Sequence, residues 1–253
     1  MSVLLPSGDE EVELEILLSG GSENEPILGA NPMEATGEVV NLFALAVNEQ
    51  MFSMGRSKPV PAFMKLLEAK WDHQTITRAF RYKIKSVPPT SFLVLVALLV
   101  QTHHAYEPLN FMSLRTVTQA QSPVDHLALL KMDRNVPKRI EELPFRVDDS
   151  GLERRKNITV IFEFKSRISV EIFAQLKEAL NIWDHLVVLS GFHLDFKEVE
   201  ELPNFGSTGH ISPFVVTHSL DFFDGYVSAF NALINLSARL SAEGRALDSI
   251  TIE

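Results

Sequence analysis

Along residues 158–165, ITVIFEFK, Val160, Phe162 and Phe164 alternate with Ile161, Glu163 and Lys165. A period of two is that of a strand with one face turned to a core. Ser166 then offers a helix N-cap, and Ile168, Ile172, Phe173, Leu176 and Leu180 recur at helical spacing. Residues 185–192, HLVVLSGF, form a short apolar run closed by Gly191 and predict a second strand. A polar loop with Pro203, Gly206 and Gly209 leads into ISPFVVTH, residues 211–218, a predicted third strand. A helix follows over roughly 224–243, capped by Asp221 or Asp224. Its core face is Val227, Phe230, Leu233, Ile234 and Leu240, and Gly244 is its stop. LDSITI, residues 247–252, is the last strand.

The resulting order over residues 157–253 is β-α-β-β-α-β. That is the ferredoxin-like arrangement, an antiparallel four-stranded sheet with both helices on one face. The arrangement hosts many unrelated activities, so it assigns no residue a role.

The first half reads less cleanly. EVELEILL, residues 11–18, alternates as a strand, and a helix runs on from Thr36. PAFMKLLEAKWD, residues 61–72, is rich in helix formers and predicts a helix. ITRAFRYKIK is a strand, with Phe80, Tyr82 and Ile84 alternating against Arg81, Lys83 and Lys85. Pro88 and Pro89 open the apolar run Phe92–Val100, which fits a helix or a buried strand. LNFMSLRTV is another strand.

The expectation is an α+β protein of two ferredoxin-like units in tandem, with antiparallel sheets and helices on one face. The units span 1–120 and 157–253, and a helix within 57–74 replaces or covers one strand of the first. The phrases YKIKSVPPTSFLVLVALLV and FEFKSRISVEIFAQLKEAL share a strand, Lys-Ser, helix pattern that would fit an internal duplication. Residues 121–156 form a proline-bearing connector with a short helical piece near 124–132. Its basic cluster, Lys138, Arg139, Arg154, Arg155 and Lys156, reads as a solvated linker or a local anion or partner contact.

Charge narrows the partners. A formal net charge of −10 disfavours nucleic acid and anionic membrane surfaces and suits a basic protein partner. The partner expected is a protein, or a second copy of the chain through self-association. The Phe92–Val100 run is far shorter than the roughly 20 residues that span a bilayer. The chain has no cysteine, which excludes disulfides and thiolate chemistry and favours a cytoplasmic setting. No phosphate-binding glycine loop, dinucleotide fingerprint, nucleophile elbow or zinc-protease helix motif occurs.

Histidines are the remaining candidates for chemistry. With 185–192 and 211–218 as antiparallel neighbours of constant index sum, His193 would face His210 and His185 would face His218. Asp184, Asp195 and Asp221 lie close in sequence. Two imidazoles and a carboxylate would suit a divalent metal, and His185, His193, His210 and His218 are its candidate ligands. The plainer reading makes them strand-end or exposed residues. Glu10, Glu11, Glu13 and Glu15 form an acidic stripe on the first strand, read as a solvated face, a protected sheet edge or an acidic docking surface.

The reading of function that follows is a non-catalytic protein-binding or regulatory protein. The alternative is a small-molecule-binding protein or enzyme with a His-containing pocket in the C-terminal half.

Overall fold

The computed structural model describes residues 11–19, 32–52, 63–72, 77–85, 89–103, 109–116, 122–124, 136, 143–150, 157–189, 192, 206–221, 227–244 and 246–253. The chain is a mixed α+β protein with two five-stranded sheets, which fall into two compact units.

The first unit holds β1 (Glu11–Ser19), α1 (Pro32–Asn48), β2 (Phe63–Asp72), β3 (Thr77–Lys85), α2 (Pro89–His103), β4 (Leu109–Thr116) and β5 (Ser122–Val124). Its strand order is β2-β3-β1-β4-β5, antiparallel throughout. Val12, Leu14 and Ile16 are buried and lie opposite Ile84, Tyr82 and Phe80, so the alternation of both segments builds one apolar layer. Val39, Val40, Phe43, Ala46 and Val47 give α1 an apolar stripe at helical spacing. Phe92–Val100 resolves as part of α2. Pro89 stands at the first helical position, and every residue from Ser91 to Leu99 is buried. A helix sealed on all sides shows no polar phase, which is why periodicity could not choose between helix and strand.

The opposite face of this sheet is charged. Glu11, Glu13 and Glu15 are registered against Lys85, Lys83 and Arg81. Lys83 Nζ lies 2.7 Å from Glu11, and Arg81 reaches Glu68 of β2 at 3.1 Å. The acidic stripe therefore lies on an interior strand, not a sheet edge, and basic β3 offsets it. Such exposed pairs contribute at most about 1 kcal/mol each and act mainly on register.

Burial raises the Tyr82 phenol from 10.0 to about 12. Folding favours the neutral phenol, so this stabilisation is whole below the unfolded value and is lost as pH rises toward the folded one. Two pH units correspond to about 2–3 kcal/mol. Urea titrations between these limits should show wild type losing that much more stability than Tyr82→Phe. Parallel losses in the two proteins would refute the assignment.

The second unit holds β6 (Arg146–Asp148), β7 (Ile158–Phe164), α3 (Val170–Val188), β8 (Ser207–Ser212), β9 (Val215–Leu220), α4 (Val227–Ala242) and β10 (Leu247–Ile252). The strand order is β6-β10-β7-β9-β8, and only the β6–β10 pair is parallel. Ile158, Val160 and Phe162, with Val216, Leu220, Ile250 and Ile252, form its apolar face.

Several expectations change here. The segment 185–188 is the last turn of α3 and not a strand. Its apolar positions continue the helical stripe Leu176, Leu180, Trp183 and Val187. Ser169, not Ser166, caps α3, its Oγ accepting the Ile172 N–H at 3.2 Å. Residues 211–218 are split by a turn at Pro213 and Phe214 into a β8–β9 hairpin. Residues 63–72 are strand β2, not a helix. The piece near 124–132, apart from β5, and the basic cluster of the connector lie outside the described residues.

Helix α4 is buried along nearly its whole length, yet it carries polar residues at 228, 231, 235 and 239, one face of the helix. Ser228 Oγ accepts the Val136 N–H at 3.1 Å, and Asn231 Nδ2 donates to the Val136 carbonyl at 2.8 Å. Asn235 Nδ2 donates to the Met51 carbonyl at 3.1 Å, and Arg239 pairs with Glu49 and, at 2.9 Å, with Glu243. Desolvation raises the Glu49 carboxyl above its ordinary value despite the Arg239 charge. Two chain segments remote in sequence, 49–51 and 136, are thus fastened to this helix. Val227, expected on its core face, is exposed, while Phe230, Leu233, Ile234 and Leu240 are buried. Gly244 has φ of +87°, the left-handed stop expected at the helix end.

Candidate functional site

The stripe Leu176, Leu180, Trp183, Val187 also carries Asp184, four residues beyond Leu180. A carboxylate in an apolar stripe needs an internal partner. His218 supplies it from the buried row of β9, Val216, His218 and Leu220. Its Nε2–H donates to Asp184 Oδ1 at 2.7 Å, and the two side chains are 1% and 3% exposed. Nδ1 on the other side of the ring shares a hydrogen bond with the Thr208 hydroxyl at 2.9 Å. Thr208 stands opposite His218 in the hairpin register.

Gly206 completes the group. Its N–H donates to Asp184 Oδ2 at 3.1 Å. A Cβ there would lie 2.5 Å from His218 Nε2 and 2.9 Å from Asp184 Oδ2, so only glycine admits this approach. Trp183 closes the site with its edge 5.9 Å from the imidazole, centre to centre, and its Nε1–H donates to the Ala229 carbonyl of α4 at 2.8 Å. The network pins α3 to β9, the start of β8 and α4.

A hydroxyl, an imidazole and a carboxylate in series are the parts of a nucleophilic triad. Here both ring nitrogens and both carboxylate oxygens are engaged inside the protein. The arrangement suits cohesion, because a buried polar network is stabilising when every member is satisfied.

Of the four histidines singled out as metal ligands, three are among the described residues. His218 faces Thr208, and His210 faces Val216. His185 is on α3, where Nδ1 bonds the Asn181 carbonyl at 2.6 Å in the last helical turn. The His185–His218 opposition fails because the first of its two strands is a helix end. The ring of His210 packs against Phe173 at 3.9 Å between centres. His193 and Asp195 lie outside the described residues. Among the described residues, no three His, Asp or Glu side chains are grouped to hold a metal ion. Thr208 and Gly206 escaped sequence reasoning. The signal for Asp184 was its helical phase, readable once the helix is continued past Leu180.

The hairpin end of this unit carries exposed apolar side chains. Val170, Ile211 and Phe214 are 80%, 68% and 48% exposed. Ile211 is the extra residue of a bulge between His210 and Ser212. The Ile168 N–H bonds the Pro213 carbonyl, and the Phe164 N–H bonds the Phe214 carbonyl, each at 2.9 Å. These bonds bring the segment that leads into α3 alongside the hairpin turn.

No protein-family model matches the chain, and no curated protein matches it. Solved structures give loose likenesses over most of its length. A provisionally named chlorite dismutase is 11% identical over 92% of this chain and 89% of its own, with a TM-score of 0.23. A provisionally named glycine cleavage system transcriptional repressor is 11% identical over 96% and 97%, at 0.21. A Cas6 product complex is 15% identical over 95% of both chains, at 0.23. Superpositions this loose assign no chemistry. No helix of the described residues is long and apolar enough to cross a membrane.

Proposed function

We propose that this chain is a non-catalytic protein-binding or regulatory protein of the cytoplasm, built from two ferredoxin-like units in tandem. The tandem reading is supported by topology. The series β1, α1, β2, β3, α2, β4 and the series β7, α3, β8, β9, α4, β10 are both β-α-β-β-α-β. Counting strands within each series, both sheets run second-third-first-fourth, and each gains its fifth strand beside the fourth.

The observation that carries the binding reading is the exposed trio Val170, Ile211 and Phe214. Large apolar side chains left in water on the hairpin and at the start of α3 fit a contact surface. Among the described residues, the Thr208–His218–Asp184 series is spent on internal bonds, which supports the non-catalytic reading. The absence of cysteine and the net charge of −10 fit the cytoplasmic setting and argue against nucleic acid and anionic membrane as partners.

Native mass spectrometry of untagged protein purified without chelators tests this. The expected spectrum contains the chain bound to protein, itself or another, and Ile211→Asp with Phe214→Asp removes that mass. A monomer carrying a stoichiometric metal or small molecule would overturn the proposal in favour of a His-containing pocket.

A further inference from the structure

Sheet edges are where proteins guard against unwanted pairing, with charge, proline, brevity or bulges. Among the described residues, three of the four sheet edges carry a formal charge or a proline, whereas bulges occur in both β2 and β8. Strand β2 displays Lys65, Glu68, Lys70 and Asp72 and is bulged at Leu67. Strand β5 is three residues long with Pro123 in its middle, and β6 is three residues long with Arg146 and Asp148. The fourth edge, β8, reads Ser-Thr-Gly-His-Ile-Ser, with neither a formal charge nor a proline. Ser207, Gly209, His210 and Ile211 are exposed, so solvent reaches this edge.

Gly209, within β8, is unexplained by the chain's own fold. Its φ lies outside the left-handed region, and a Cβ would meet only Thr217 Oγ1, at an ordinary 3.7 Å. Glycine inside a strand weakens it, and one use that offsets this is the close approach of another backbone. The exposed Ile211, thrown outward by the bulge, adds an apolar contact beside it.

We infer that β8 pairs antiparallel with β8 of a second copy of this chain, centred near Gly209, so that two five-stranded sheets become one continuous sheet across a twofold axis. This rests on the protein-binding reading and names its partner. A second copy is favoured by charge. An uncharged strand offers nothing to a strongly charged partner. Among the described residues β8 is the longer of two edges without a formal charge and, unlike β5, has no proline, so two copies of net charge −10 can pair there with no like charges on the paired strands themselves. The remaining repulsion is long-range, and physiological salt screens it beyond about 8 Å. Association should therefore tighten as salt rises, the opposite of binding to a basic partner.

Sedimentation equilibrium of the full chain, from about 1 to 200 µM and at about 0.05 and 0.3 M salt, reads this directly. Wild type should dimerise, several-fold more tightly at the higher salt. Gly209→Lys, which has room for its side chain, and Ile211→Lys should each weaken the dimer about a hundredfold, since each places like charges across the axis. Leu66→Lys on β2 should leave it intact, and circular dichroism should show all three variants folded. A dimer unaffected by both β8 substitutions overturns the inference while sparing the protein-binding reading. A monomer at every concentration also overturns it. Native mass spectrometry then separates the two ideas, because a different bound protein preserves the wider reading and a bound metal or small molecule removes it.

Discussion

Replacing Asp184 with alanine is expected to lower the unfolding free energy by about 3 kcal/mol, measured by urea denaturation near neutral pH. The substitution leaves the His218 Nε2–H and the Gly206 N–H without their acceptor inside the protein. The cost arises from these stranded donors more than from the lost bond, because a satisfied buried pair and an apolar replacement of similar volume are close in energy. The paired change Asp184→Leu with His218→Leu should therefore recover more than half of the loss. A single substitution costing under about 1 kcal/mol would show that the network does not hold α3 to the sheet.

Gly206→Ala should cost about 3 kcal/mol or more, at the upper end of overpacking penalties. The intruding methyl would sit 2.5 Å from a ring nitrogen. That ring cannot swing aside, since Asp184 and Thr208 hold both of its nitrogens. The two sites must then be coupled. In a His218→Ala background, the same Gly206→Ala change should cost less than about 1 kcal/mol, a coupling readable in a double-mutant cycle. Equal cost in both backgrounds would mean that the clash is relieved elsewhere.

The strands with clean alternation were legible residue by residue. EVELEILL, ITRAFRYKIK, LNFMSLRTV, ITVIFEFK and LDSITI became β1, β3, β4, β7 and β10. The misreadings have separate physical causes. Lys65, Leu66, Glu68, Ala69 and Lys70 favour helix, but pairing along β3 outweighs that preference in β2. Leu186–Val188 looked like a strand because three apolar residues in a row, two of them β-branched, carry no period, although Trp183 and Val187 keep the phase of α3. Pro213 inside ISPFVVTH was the missed hairpin signal, since proline cannot donate to a central ladder.

The similarity of YKIKSVPPTSFLVLVALLV to FEFKSRISVEIFAQLKEAL joins non-equivalent elements. It matches the third strand and second helix of one series to the first strand and first helix of the other. Of the site, Asp184 and His218 were named for a metal, but the arithmetic of register assumed a strand that does not exist. Thr208 and Gly206 reach the imidazole and its carboxylate only through the hairpin, which a one-dimensional reading of that loop could not supply.

The polar face of α4 bears on how this protein can be cut. Its hydrogen bonds to residues 51 and 136 span 184 and 95 positions. A fragment beginning at residue 157, the natural choice from the sequence, would carry Asn231, Asn235 and Arg239 on a helix that had lost Val136, Met51 and Glu49 as their partners. Those groups would need water where the native helix is dry, so the excised half should be recovered as aggregate or as a loosened helix. The smallest piece of the second unit that folds on its own is therefore assembled from separate stretches of chain, and dissection by simple truncation will miss it.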